Sequence, residues 1–165
     1  MKKLPLGIQD FAKLRDEGFM YVDKTSFIKP LIENYSFVSI TRPRRFGKSL
    51  FISTLDEFFR GNKELFKELD IYDYPKWDSL PVIRIDFSTT DNSTPGVLED
   101  SISEKLLSIA ADYGVEIDTS IKSLYLSDLV DSLYEKFNKR VVILIDEYDK
   151  PITDHFTDPE KADAN

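Results

Sequence analysis

The sequence contains no cysteine and only one histidine, His155, among its 165 residues. The absence of cysteine excludes disulfide scaffolds, iron–sulfur clusters, cysteine-ligated zinc and thiol nucleophiles. One histidine is too few for a multi-histidine metal site within the chain, and it gives no basis for a Ser-His-Asp arrangement. The sequence therefore excludes these classes of redox, thiol and histidine-dependent chemistry.

Long apolar runs are also absent. No stretch reaches the roughly 18 apolar residues that a membrane helix needs, and residues 1–7 lack the apolar segment of a signal peptide. We therefore expect a cytoplasmic protein without a membrane partner. Because 41% of the residues are apolar and 13% are aromatic, the chain has enough apolar side chains for a core, which excludes wholesale disorder.

The charge is unevenly distributed along the chain. The net charge is −8, but residues 1–50 carry 10 Lys and Arg against 5 Asp and Glu, a balance of +5. Residues 51–165 carry 12 against 25, a balance of −13. The positive excess is concentrated at Arg42, Arg44, Arg45 and Lys48. An acidic chain with one basic cluster indicates a bound anion rather than a surface that wraps nucleic acid, so direct nucleic-acid binding is not expected.

Strand-forming and helix-forming segments alternate along the sequence. The predicted strands cover 37–41, 82–87 and 141–146, and the predicted helices cover about 23–33, 48 to a stop at Gly61, 97–113 and 123–138. Residues 141–145 are five consecutive apolar residues, a run typical of a strand buried on both faces. Since the strands are separated by far more than a hairpin turn, we expect an α/β fold with a mainly parallel sheet.

The triplet Gly47-Lys48-Ser49 follows a predicted strand and loop and opens a predicted helix, which is the arrangement of a phosphate-binding loop. Backbone N–H groups and the helix dipole favour phosphate there. Lys48 adds a full positive charge, and the Ser49 hydroxyl is a ligand for Mg²⁺. The full pattern has a glycine five residues before Gly47, where this sequence has Arg42. By itself the triplet also fits a basic turn that caps a helix.

Two acids, Asp146 and Glu147, end the strand predicted over 141–146. A carboxylate at this edge of a parallel sheet faces the crevice in which open α/β sheets bind ligands. Asp146 is placed to hold Mg²⁺ through its water shell, and Glu147 to orient or deprotonate an attacking water. A solvated turn after a core strand is the alternative, but both motifs in this order favour nucleotide binding. Asp86, at the end of the 82–87 strand, would face the same edge, where we expect it to cap a helix or turn. A place in the water network near Mg²⁺ is the alternative.

A set of short stretches spread over essentially the whole chain is distinctive. They are Leu6-Gly7-Ile8-Gln9-Asp10-Phe11, Leu14-Arg15, Tyr21-Val22-Asp23-Lys24-Thr25, Arg42-Pro43-Arg44-Arg45-Phe46-Gly47-Lys48-Ser49 and Ile143-Leu144-Ile145-Asp146-Glu147-Tyr148-Asp149-Lys150-Pro151. Together they resemble the bacterial AAA-ATPase-like domain family of P-loop proteins, in which the missing first glycine is normal. From the residues alone, Asp23, Lys24 and Thr25 are expected to cap a helix.

The resemblance implies a three-layer P-loop sandwich that binds ATP and Mg²⁺. Carried over by position, it implies Lys48 and Ser49 as the phosphate and magnesium residues, and Asp146 and Glu147 as the acidic pair. We expect Lys48 and Glu147 to be catalytic, and Ser49 and Asp146 to hold the metal. The expected cofactor-binding residues are Arg44, Arg45, Phe46, Gly47, Lys48, Ser49 and Leu50. Surface arginines that flank a helix are the alternative for Arg44 and Arg45. Full-length members commonly carry a C-terminal nuclease domain that resembles restriction endonucleases, and a homo-oligomer is a further expected partner state.

The resemblance also implies that at least one strand of the sheet comes later in the chain. We therefore interpret residues 1–165 as the N-terminal part of one P-loop domain that is incomplete at its C-terminus. Residues 1–35 form a family-specific opening segment and helix, 36–153 the nucleotide-binding core, and 154–165 a frayed tail. We expect little or no ATP turnover by this part alone. The alternative function is a non-catalytic nucleotide-binding or regulatory module of a DNA-processing system.

Overall fold

The computed structural model describes residues 3–41, 43, 45–91 and 93–153. The chain divides into two compact units, residues 1–80 and residues 81–165. The predicted tail over 154–165 lies outside the described residues, as do Arg42, Arg44 and His155. In the part of the chain that the structure describes, no helix is both long and apolar enough to cross a membrane.

The first unit is helical in its described residues. Its α-helices are α1 (Phe11–Asp16), α2 (Ile28–Asn34) and α3 (Lys48–Phe59), with 3₁₀ turns at Thr25–Phe27 and Lys63–Phe66. The predicted helices over about 23–33 and from 48 are confirmed, and the predicted stop, Gly61, follows the C-cap residue Arg60 of α3 with φ of +80°. The short helix α1 was not predicted from the sequence.

An aromatic cluster holds the first unit together. Phe11 packs on Phe66 with 4.8 Å between ring centroids, and Phe66 packs on Trp77 at 5.0 Å. Phe11 and Phe66 are fully buried, so each removes a large apolar surface from water. The backbone N–H of Phe11 also donates to Ser53 Oγ at 2.9 Å. This bond joins α1 to the middle of α3.

The strand predicted over 37–41 is wrong. Residues 37–41 have no regular secondary structure, and the Phe37 side chain is 87% exposed. Val38 is 43% exposed. A strand forms only where its N–H and C=O groups find a neighbouring strand, and the described residues of this unit contain none. Residues 37–41 include β-forming side chains, but the described residues of this unit offer no strand with which they could pair.

The second unit contains a parallel pair of strands. Strand β1 (Val82–Asp86) pairs with β2 (Val142–Asp146) in a register that runs from Val82 opposite Val142 to Asp86 opposite Asp146. The helices α4 (Pro95–Tyr113) and α5 (Tyr125–Phe137) lie between the strands in sequence. The predicted parallel α/β arrangement, both of these strands and both helices are therefore confirmed.

The core of this unit lies between β1 and the two long helices. Ile83 and Ile85 of β1 belong to one buried cluster with Leu106 of α4 and with Leu129 and Leu133 of α5. The helix α4 begins at the N-cap residue Thr94, whose side chain accepts the N–H of Val97, and ends at Gly114 with φ of +62°. A further short helix, α6 (Lys150–Thr153), follows β2.

The prediction that residues 141–145 are buried on both faces is wrong. Leu144 and Asp146 are 7% and 4% exposed, whereas Ile143 and Ile145 are 42% and 44% exposed. This alternation arises because successive side chains of a strand point to opposite faces, and the described residues cover only one face of β2. The sheet has two strands in the described residues, so the three-layer sandwich stays a prediction.

Candidate functional site

The loop before α3 contains two residues in the left-handed backbone region. Arg45 has φ of +68° and Gly47 has φ of +77°. Glycine adopts this conformation freely, whereas a residue with a Cβ pays about 1 kcal/mol or more. Strained backbone of this kind is concentrated at ligand-binding and catalytic sites. Arg45 therefore marks the loop as a candidate site on grounds independent of its sequence motif.

Gly47 is the N-cap of α3, and no side chain caps the helix there. The first intrahelical bond runs from the N–H of Phe51 to the carbonyl of Gly47 at 3.0 Å. The N–H groups of Lys48, Ser49 and Leu50 in the first turn thus have no acceptor within the helix. An anion at this end would receive their hydrogen bonds and the favourable field of the helix dipole.

The predicted phosphate-binding residues are accessible. Arg45, Phe46 and Gly47 are exposed, while Lys48, Ser49 and Leu50 are half-buried. Arg44, which we predicted with them, lies outside the described residues. The structure thus presents residues 45–50 as one solvent-facing loop and helical turn.

Lys24 is a neighbour of this loop that the sequence does not indicate. A Cβ built on Gly47 would lie 3.9 Å from Nζ of Lys24. Among the described residues that are not its chain neighbours, nothing else comes within 4 Å of that position, so they leave a space open beside the ammonium group. No local sequence signal predicts this approach, because the two residues are far apart in the chain. Of the three residues predicted to cap a helix, Asp23 accepts the N–H of Thr25 at 2.8 Å on its Oδ1, whereas Lys24, the N-cap residue of the turn Thr25–Phe27, makes no side-chain cap.

The acidic pair lies at the end of β2 in the second unit. Asp146 is 4% exposed, and its Oδ1 accepts the N–H of Glu147 at 3.0 Å. Glu147 is in the left-handed region with φ of +52°, which turns the chain sharply away from the strand. Oδ2 of Asp146 has no hydrogen-bond donor among the described residues. A buried carboxylate oxygen of this kind suits a hydrated cation, since buried charge is costly unless it is paired.

Asp86 lies at the same end of the sheet. It is opposite Asp146 in the parallel register, as expected for the carboxyl ends of parallel strands. Its Oδ1 accepts the N–H of Ser88 at 2.8 Å and so caps the 3₁₀ turn at Phe87–Thr89. The predicted capping role of Asp86 is therefore confirmed.

The carboxylates do not gather into a cluster. Within the described ranges, no group of three or more His, Asp or Glu side chains is arranged to hold a metal ion. The assignment of Ser49 and Asp146 as magnesium residues stays a prediction.

Comparison with known proteins shows the family of this chain. The model of the family described as "Predicted AAA-ATPase" matches residues 5–165, and the chain belongs to that family. The family description indicates a nucleotide-binding, ATPase-like domain. The resemblance inferred from the sequence is therefore confirmed.

A curated protein of Azotobacter chroococcum mcd 1, named "Uncharacterized protein in vnfD 5'region", is similar to this chain. The two are 42% identical over 163 residues, which is 98% of this chain and 32% of the relative. The chain thus spans about a third of the relative's length. No solved structure matches the chain.

Proposed function

We propose that this chain is a Mg·ATP-binding, ATPase-like domain whose phosphate site is the loop 44–50 at the start of α3. The observation that carries the proposal is the left-handed Gly47 at an uncapped helix start, followed directly by Lys48 and Ser49. The family description supports a nucleotide as the ligand. Adenine rather than guanine is proposed because the family is ATPase-like.

Each side chain has a proposed task. Lys48 would bring its ammonium to the phosphate oxygens, and the Ser49 hydroxyl would be a ligand for Mg²⁺. The carboxylate of Asp146 would accept hydrogen bonds from waters on the cation, and Glu147 would orient the attacking water. When bound, Mg²⁺ neutralises charge that develops on the phosphate oxygens. Arg44, Arg45, Phe46 and Leu50 complete the loop around the nucleotide.

A second candidate function is a nucleotide switch that binds without turnover. It is favoured by the exposure of Ile143 and Ile145, which leaves the strand that carries Asp146 uncovered on one face. Further elements of a longer protein, such as an effector or nuclease domain or a second copy, would then respond to the bound nucleotide. Phosphate release at the background rate, together with intact Mg·ATP binding by the full-length protein, would favour this function over hydrolysis.

The binding claim is tested by isothermal titration calorimetry of the full-length protein with Mg·ATP. We expect Lys48→Ala to lose at least tenfold in affinity, because it removes a charge-assisted contact worth about 1.5–3 kcal/mol. Lys29→Ala is the matched control, since Lys29 is an exposed lysine of α2 in the same unit. Equal affinities for the two variants, or no binding by the unmodified protein, would contradict the proposal.

A further inference from the structure

The ammonium group of Lys24 adds a further positive charge beside the loop that contains Arg45 and Lys48. Its Nζ lies 3.9 Å from the position that a Cβ on Gly47 would occupy. In the part of the chain that the structure describes, no carboxylate forms an ion pair with this ammonium. The approach is therefore not explained by a salt bridge between described residues.

The backbone on both sides of Lys24 is anchored. The carboxylate of Asp23 accepts two N–H groups at 2.8 Å, that of Thr25 on Oδ1 and that of Asp70 on Oδ2. Thr25 is fully buried, and its Oγ1 accepts the N–H of Ile71 at 3.2 Å. These bonds link the segment to residues 70–71 and so hold the backbone from which the Lys24 side chain extends.

The charges around Gly47 favour an anionic ligand. A polyphosphate placed at the start of α3 is attracted by the ammonium groups of Lys24 and Lys48. Gly47 has no side chain, and the ammonium group of Lys24 lies next to the space that is left open there.

We propose that Lys24 is a second phosphate-binding lysine, which contacts the polyphosphate from the Gly47 side of the loop while Lys48 contacts it from the helix. This inference rests on the proposed function, because it assigns a residue to the same site. It adds a side chain from the opening segment of the chain to the nucleotide site. Lys24 thus has a binding role, which the prediction of a helix cap over residues 23–25 did not include.

The test is calorimetry of the full-length protein with Mg·ATP and, separately, with inorganic tripolyphosphate. Lys24→Met keeps the apolar stem and removes the charge, and Lys29→Met is the control. We expect Lys24→Met to bind both ligands about tenfold more weakly, the change that about 1.4 kcal/mol produces. The control should match the unmodified protein, and Lys24→Arg should recover most of the affinity.

Two further readouts separate a binding role from a structural one. Removing a charge that contacts phosphate makes the dependence of affinity on salt concentration shallower, whereas the thermal midpoint of Lys24→Met should stay that of the unmodified protein. If Lys24→Met binds within twofold of the unmodified protein while Lys48→Ala loses binding, this inference is overturned and the proposed function stands. If Lys48→Ala also binds normally, both are overturned.

Discussion

Replacing Gly47 by alanine adds one methyl group at a position where the effects on folding and on ligand binding can be separated. The φ of Gly47 is +77°, so an L-residue there costs about 1–2 kcal/mol of stability. Among the described residues, the added Cβ would have one neighbour within 4 Å, Nζ of Lys24 at 3.9 Å, which is ordinary van der Waals contact. Steric overlap therefore does not add to the loss of stability, which arises from the left-handed backbone conformation at this position.

Gly18 provides a matched control in the same unit. Its φ is +67°, and a Cβ built on it would meet nothing within 4 Å. Gly18→Ala should therefore lose about as much stability as Gly47→Ala, roughly 1–2 kcal/mol. The loop that we assign to phosphate is distant from Gly18 in sequence, and this control should leave Mg·ATP binding unchanged.

The assay pairs denaturant unfolding with calorimetry for both variants. We expect similar losses of unfolding free energy and at least a tenfold weaker affinity for Mg·ATP in Gly47→Ala alone. The reason is that the methyl group occupies the space next to the N–H groups that would bind phosphate. Equal nucleotide affinities for the two variants would refute this reasoning, as would a loss of stability in Gly47→Ala several kcal/mol larger than in the control.

Three further predictions concern hydrolysis, the core and ionisation. Glu147→Gln should bind Mg·ATP normally and stop turnover in a phosphate-release assay, and unchanged turnover would remove Glu147 from the mechanism. Leu129→Ala should lose about 2–5 kcal/mol in chemical denaturation, because Leu129 is fully buried; a loss under 1 kcal/mol would contradict the described core. Burial raises the pKa of the Tyr21 phenol against the lowering effect of its Thr54 contact, so the stability that this group contributes is present below pH of about 10 and lost above it. Ultraviolet titration of the protein and of Tyr21→Phe should show Tyr21 ionising above that value, and ionisation at the ordinary value would contradict this.

Helix positions were predictable because local signals agree with packing. The helix predicted over 97–113 begins at Pro95 after the Thr94 cap and ends before Gly114, and both signals are visible in the sequence. The stop at Gly61 is visible in the same way. By contrast, α1 is only six residues long, too short to show a helical period, and its start depends on a cap from Asp10 to the N–H of Lys13.

The errors concern long-range pairing. Residues 37–41 have the composition of a strand, but composition does not reveal whether a neighbouring strand is present. The run at 141–145 has the composition of a strand covered on both faces, whereas Ile143 and Ile145 are exposed. The pairing of a strand and the burial of its second face both depend on other parts of the chain, and a local sequence pattern contains no information about them.

The part of the candidate site that consists of consecutive residues was predictable from the sequence. Residues 45–50 are consecutive, so the sequence alone brings them together. The alignment of Asp86 with Asp146 required the parallel register, which the alternation of strands and helices indicated and the structure confirms. The approach of Lys24 to Gly47 joins residues that are far apart in the chain, and no local motif contains that information.

Hydrogen–deuterium exchange of the full-length protein with saturating Mg·ATP tests the central claim most directly, because it reports on the backbone N–H groups themselves. The amides of Lys48, Ser49 and Leu50 have no acceptor within α3 and should exchange quickly without ligand. We predict that Mg·ATP slows exchange in peptides covering 45–50 and leaves those of α1 unchanged. Unchanged exchange over 45–50 at saturating Mg·ATP would contradict the account.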